Sequence, residues 1–176
     1  MTIYKQADSI DELKQILELQ QKNLPKNLSP IEMKQSGFLT VEHSFELLKE
    51  MNVIAAHTIA KDGEQVIGYA LSMHPEFANQ IEILKPMFEE IHKVVSKNNS
   101  YMVMGQICVA KAYRGQGVFR KLYTAMKTFL PEGFTKIITE VDAKNVRSMN
   151  AHKAIGFTEL KRYHSKGKDW SLIVQQ

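Results

Sequence analysis

The sequence predicts a mixed α/β fold (α+β), a central mixed β-sheet with helices on both faces, built as a single domain over residues 1–176. Three observations predict it. Tyr101 to Val109 is an apolar, β-branched run that passes through Arg114-Gly115-Gln116-Gly117 into Val118, Phe119, Leu122, Tyr123, Met126 and Leu130 at helical spacing. Val53–Ala60 and Gln65–Met73 are two β-favouring runs joined around Asp62-Gly63, a hairpin signal. The order is strand, helices, hairpin and helix, then strand–helix–strand–helix and two strands, and that order suits one mixed sheet covered by helices.

Each element has its own signal. Ile3 to Gln6 reads as a strand. Ser9-Ile10-Asp11-Glu12 has the form of a capping box, and Ile10, Leu13, Ile16 and Leu17 continue a helix toward Pro25. Ser29-Pro30-Ile31-Glu32 repeats that start, with Pro at the first helical position, and the helix stops near Gly37. Residues 38–43 read as extended or irregular, and Phe45, Leu48 and Met51, with Leu47, mark another short helix. Phe77, Ile81, Leu84, Phe88, Ile91 and Val95 hold a helical period, with a kink or a fresh start at Pro86. Asn98-Asn99-Ser100 breaks the pattern. Past the central helix, Pro131 to Gly133 is a turn, Lys136 to Asp142 a strand, and Asn145 to Ile155 a helix ended by Gly156. Phe157 to Tyr163 and Asp169 to Gln175 form a final hairpin.

Composition excludes several functions. Apolar residues make up 44% and charged residues 24%, as in ordinary globular domains. No apolar run approaches the roughly 20 residues of a membrane span, so no membrane partner is expected. The net charge of +4 is modest and its signs are interspersed. Without a clustered basic face no nucleic-acid partner is expected, and the Lys161–Lys168 patch reads as a solvated hairpin. One cysteine, Cys108, and a start without a signal-peptide apolar region lead to the expectation of a cytoplasmic protein. His43, His57, His74, His92 and His164 show no metal-ligand spacing, and no metal is expected.

The glycine turn is the first candidate site. Gly115 and Gly117 let the backbone turn and present N–H groups at a helix start, where the dipole favours phosphate. It is not a P-loop, since Gly-Lys-Ser/Thr is absent. It is not a dinucleotide fingerprint either, since Arg120 stands where a third glycine belongs.

Arg114-x-x-Gly117-x-Phe119, after a strand ending in Val109, resembles the acetyl-CoA-binding motif of the GCN5-related N-acetyltransferase (GNAT) family, Gln/Arg-x-x-Gly-x-Gly/Ala. Phe119 departs from the small residue usual there. Asn145-x-x-Ser148-x-x-x-His152-x-x-x-Gly156-Phe157 resembles the family segment Asn-x-x-Ala/Ser-x-x-x-Tyr-x-x-x-Gly-Phe, with His152 in place of Tyr. The layout resembles the acetyltransferase fold from end to end, with residues 75–96 as an insertion relative to the smallest members.

The resemblance implies an acetyl-CoA-dependent N-acetyltransferase in which an amine attacks the thioester directly. Acetyl-CoA is the expected co-substrate, and a primary amine of a small molecule or protein is the expected acceptor. The pyrophosphate would rest on the N–H groups of Arg114, Gly115, Gln116, Gly117, Val118, Phe119 and Arg120. By the same resemblance, Ile107, Cys108 and Val109 in a splayed central strand would meet the pantetheine amides, and Asn145 would bond the cofactor arm. Asn145 also reads as a plain N-cap, and Cys108 as a small buried apolar residue. The acceptor pocket would come from the early helices, Leu24 to Met51. A homodimer is left open.

A neutral amine is needed for attack, at a cost of roughly 4.6 kcal/mol for a lysine-like amine at pH 7. In family members that acetylate ribosomal-protein N-termini, a Glu at the spacing of Glu140, five residues before Asn145, is taken as the base. Asp142 shares its strand face and is the rival, with water as a third alternative. His152 falls on an inward helix face with Met149 and Ile155. It is either a core histidine bonded to a backbone carbonyl or, as the resemblance implies, the acid for departing coenzyme A. A non-catalytic acyl-CoA-binding sensor is the alternative function.

Overall fold

The computed structural model describes residues 1–95 and 100–176, so the break expected at Asn98-Asn99 lies outside the described residues. In chain order the described elements are β1 (Thr2–Gln6), α1 (Ile10–Gln21), α2 (Pro30–Ser36), α3 (Phe45–Ile54), β2 (Thr58–Asp62), β3 (Gln65–Met73) and α4 (Lys85–Val94). Then come β4 (Tyr101–Val109), α5 (Val118–Thr128), β5 (Lys136–Asp142), α6 (Val146–Lys153), β6 (Thr158–Ser165) and β7 (Lys168–Gln175). The strands hydrogen-bond in the order β1-β2-β3-β4-β5-β7-β6. β4 and β5 are parallel, whereas β1–β2, β2–β3, β5–β7 and β6–β7 are antiparallel, so the sheet is mixed.

The chain divides into two compact units, Met1–Ser72 with Met104–Phe129 and Met73–Val103 with Leu130–Gln176. The boundary falls inside β4, between Val103 and Met104.

In the first unit, Ser9 caps α1 by accepting from the Glu12 N–H at 3.2 Å. Glu12 does not return the bond. It accepts instead from the Asp8 N–H and from Lys5 and Lys61, which satisfy a carboxylate that is almost fully buried. Ser29 and Glu32 do form the reciprocal box at α2, and Gly37 ends that helix at φ 73°. The run from Val53 was expected to be extended. α3 instead continues to Ile54, and β2 begins only at Thr58. The reason is continuity with the Phe45–Met51 period, which buries Leu48 and Met51 completely while Val53 and Ile54 stay exposed. Gly63-Glu64 closes the β2–β3 hairpin, with Gly63 at φ 56°.

Gly68 of β3 marks a close approach. A Cβ there would lie 3.1 Å from the Cys108 carbonyl and 3.2 Å from Leu122 of α5. Its neighbour Tyr69 points to the opposite face, where its hydroxyl joins a network that reaches Gln20 of α1. Helices α1 and α5 therefore cover opposite faces of the first unit's strands.

In the second unit, the helical period of Phe77–Val95 has the fresh start expected at Pro86, since α4 begins at Lys85, but the part before it forms two 3₁₀ turns, Pro75–Asn79 and Glu82–Leu84. Pro86 sits in the first turn of α4, where its missing N–H costs nothing. Asn145 caps α6 by accepting from the Ser148 N–H at 3.2 Å. Lys166 and Gly167, both at positive φ, turn β6 into β7.

Candidate functional site

The glycine loop lies in the first unit. The Ala110 N–H donates to the Ile67 carbonyl at 2.8 Å and anchors the end of β4. One 3₁₀ turn, Lys111–Tyr113, leads to Arg114. Gly115 and Gly117 follow in the left-handed region, at φ 77° and 80°. Nothing lies within 4 Å of where a Cβ would sit on either, so these glycines serve backbone shape and leave open space beside the loop. Gly117 is the N-cap of α5, and no side chain caps that helix. The Lys121 N–H donates to the Gly117 carbonyl at 3.1 Å, so the first turn of α5 opens directly off the glycine loop. This is an anion-binding geometry with room for a phosphate.

Arg114 is engaged within the protein. Its Nε donates to the Val109 carbonyl at 2.9 Å, and its Nη2 donates to Asn23 Oδ1 at 2.6 Å. The guanidinium ties the loop to the strand end and to the residues after α1. Gln116 Nε2 donates to the Ala112 carbonyl at 2.9 Å. Phe119 stands edge-on to Tyr123 with centroids 5.3 Å apart, and Arg120 is exposed. Ile107 and Val109 are half-buried on either side of the buried Cys108. Burial pushes the Cys108 thiol up to about 12, so it stays protonated and inert at neutral pH.

Sequence reasoning missed a buried polar network beneath this strand. Gln20 Nε2 donates to His43 Nδ1 and to Gln106 Oε1, both at 3.0 Å, and accepts the His43 N–H through its oxygen. Tyr69 donates to the same Gln106 oxygen, and Gln106 donates to the Val41 carbonyl. The residue types are ordinary helix and strand members, and only folding gathers them. The first unit also holds a cleft of about 390 Å³, whose lining includes Glu18, Glu32, Lys22 and Lys111, a set of mixed sign.

Glu140 lies on β5 in the second unit. It faces Leu172 of β7, which faces Lys161 of β6, so the three share one row and one face. The β6–β7 register slips between Glu159 and Lys161. That bulge at Leu160 brings Lys161 and Tyr163 to the face of Glu140; an uninterrupted period of two would have put them on the other. The Tyr163 hydroxyl donates to Glu140 Oε2. Burial raises the Glu140 carboxyl to about 7, against the opposing pull of this hydrogen bond.

Asp142, the rival on the same strand face, has both oxygens engaged. Its Oδ1 accepts from the Lys144 N–H at 2.9 Å and its Oδ2 lies 3.5 Å from the Lys168 ammonium. Asn145 spends its side-chain oxygen on the α6 cap.

His152 is buried at 2% exposure, with its Nδ1–H donating to the Ser148 carbonyl at 2.8 Å. Its ring stands edge-on to Phe157 at 5.1 Å. Burial lowers its pKa to about 4, against the pull of the Ser148 carbonyl. The ring is then neutral at pH 7, and its one proton is held by that carbonyl. As an acid for departing coenzyme A, His152 would act from a ring whose Nδ1 proton is engaged by the Ser148 carbonyl.

Comparison with known proteins places these features in a family. The family model described as "Acetyltransferase (GNAT) family" matches residues 13–157. No curated protein matches the chain in sequence. Among solved structures, Arabidopsis thaliana NAA60 in complex with acetyl-CoA aligns with a TM-score of 0.68 at 14% identity, covering 99% of each chain. A chain of the NatC complex bound to Gag peptide and CoA aligns at 0.66 and 18% identity, covering 98% of this chain and 96% of that one. The Salmonella typhimurium yncA, a putative acetyltransferase with acetyl-CoA, aligns at 0.66 and 15% identity, covering 100% and 94%. At such identities these likenesses are of fold, and the family model, matched over most of the sequence, identifies the chain as a member of the GNAT family of acetyltransferases.

Proposed function

We propose that residues 1–176 act as one N-acetyltransferase domain that transfers the acetyl group of acetyl-CoA to a primary amine of a small molecule or protein. The observation that carries this reading is the glycine loop at the start of α5, with Gly115 and Gly117 in the left-handed region and open space beside them, in a chain of the acetyltransferase family; Glu140, a buried carboxyl raised to about 7, is its base. At pH 7–8 such a group is substantially ionised and still a good proton acceptor. It takes a proton from the amine so that the nitrogen lone pair is free to attack.

Acetyl-CoA supplies the thioester carbonyl that the amine attacks. The loop fits its pyrophosphate, because α5 begins at Gly117 without a side-chain cap and the space beside Gly115 and Gly117 is open. In this reading Gly115, Gln116, Gly117, Val118, Phe119 and Arg120 hold the phosphates. Arg114 shapes the loop, backbone groups of Ile107, Cys108 and Val109 meet the pantetheine amides, and Asn145 bonds the cofactor arm as well as capping α6. The step as proposed draws on no metal. The family match and the acetyl-CoA carried by the NAA60 and yncA structures support the choice of co-substrate.

The test is thiol release from acetyl-CoA over a panel of small amines and peptides, with products read by mass. An acetylated amine is the expected outcome. Tight acetyl-CoA binding with no product across the panel would replace the enzyme by the acyl-CoA sensor.

A further inference from the structure

We propose that Tyr163 is the positioning residue of Glu140: its hydroxyl, aimed by the bulge at Leu160, holds Oε2 and leaves Oε1 to take the amine proton. This rests on the reading of Glu140 as the base. Among the described residues Tyr163 is the hydrogen-bond partner of the Glu140 carboxyl, and Oε1 carries no hydrogen bond. A carboxylate with one oxygen held is fixed in rotation about its last torsion, so the second oxygen is aimed.

The surroundings keep Tyr163 a donor. Burial raises its pKa well above the usual phenol value, and the charges of Glu140 and Glu90 raise it further. Glu90, on α4, is itself paired with Lys161 of β6 and with Lys93 one turn along its own helix. The nearby acid on the same face, Asp142, is bound to the Lys144 N–H and lies by Lys168, and the β7 residue in the row of Glu140 is the uncharged Leu172. Tyr163 thus donates to Glu140 throughout the working pH range and gives up no proton of its own. In the step, an N–H bond of the amine breaks, an O–H bond forms at Oε1, and the electron pair stays on nitrogen.

The experiment titrates protein labelled with ¹³C at glutamate Cδ and tyrosine Cζ by NMR from pH 4.5 to 9.5. Glu140→Gln and Tyr163→Phe assign the two signals. In the parent, the Glu140 carboxyl should titrate near 7, and the Tyr163 Cζ signal should move with the same midpoint. Tyr163→Phe removes a hydrogen bond to a charged group and should raise the carboxyl midpoint by about one to two units. With an amine from the panel, the acid limb of kcat/KM should rise by the same amount, so that Tyr163→Phe is impaired at pH 7 and approaches the parent near pH 9.5. An unmoved carboxyl midpoint in Tyr163→Phe overturns the proposal. So does a Tyr163 signal in the parent that is silent through the Glu140 midpoint, a result that needs no folded variant. Coincident midpoints in a parent that acetylates nothing would overturn the enzyme reading instead, and leave the hold of Tyr163 on Glu140 supported.

Discussion

Glu140 makes the folded state carry a carboxyl whose pKa is raised by burial to about 7. A group of this kind favours the folded protein while protonated and disfavours it as pH rises through 7. Glu140→Gln should therefore do two things at once. It should cut turnover by roughly 10²–10⁴ at pH 7, the range for loss of a general base, with the loss shrinking at high pH where the amine deprotonates unaided. It should also stabilise the protein above pH 7, by about 1–3 kcal/mol in urea unfolding, because the charge no longer has to be desolvated. A variant that loses activity and stability together would identify Glu140 as a structural residue. His152 makes the opposite forecast. With a pKa near 4 it does not titrate between pH 6 and 9, so His152→Ala should scale the pH–rate profile by one constant factor. A change in the shape of the profile would assign His152 the acid role.

At the scale of the element, the loop before α5 concentrates two requirements in Gly117, a left-handed backbone at φ 80° and an open approach to a helix start that no side chain caps. Acetyl-CoA at a hundredfold excess over its Kd should stabilise the parent by about 2.7 kcal/mol. Gly117→Asp should abolish that increment in a thermal shift by placing a carboxylate where phosphate must approach. Equal stabilisation of the two proteins would move the phosphate site elsewhere. Gly68 answers to packing instead, since its backbone lets α5 approach β3 and the Cys108 carbonyl. Gly68→Ala should cost about 1–3 kcal/mol, the range for overpacking, and a chemical-denaturation midpoint equal to that of the parent would contradict it. The two glycines are alike in composition, and only the surroundings separate a conformational role from a close contact.

Across the whole molecule, three histidines are buried in the neutral form. His43, His57 and His152 are each lowered to about 4, chiefly by burial. The unfolded chain binds their protons near pH 6.5, and the folded chain does not until about 4. Acid therefore favours unfolding, and stability should fall as pH drops from 6.5 to 4, with a slope approaching about 4 kcal/mol per pH unit at its steepest. Urea midpoints taken across this interval measure it, and a flat profile between pH 6.5 and 5 would show that these rings take protons in the fold. The charged cluster of Glu12 with Lys5 and Lys61 adds to the loss at lower pH. The Glu12 pKa is depressed to about 2, so the stability it contributes is present in full above its unfolded value and is lost progressively as pH falls from there through about 2.

What the sequence determined by itself was local. Ser9, Ser29 and Asn145 announce helix starts because a cap is a bond to a backbone group three residues on. Gly115 and Gly117 announce the turn before α5 because few other residues accept that backbone. The second motif could be read for the same reason, since Asn145 to Gly156 is one short helix with its stop. Glu140 is a candidate through the resemblance to family members with a Glu at that spacing from Asn145, and the sequence does not name its partner. Tyr163 reaches Glu140 only because β5, β7 and β6 align across the sheet and a one-residue bulge reverses which side chains share that face. No period in the sequence records a register slip, which is set by packing between strands far apart in the chain. The same holds for the raised pKa of Glu140, the lowered one of His152 and the network of Gln20, His43, Tyr69 and Gln106. Each depends on how much water the folded neighbours exclude and on which polar groups they bring within reach, and those are properties of the tertiary structure.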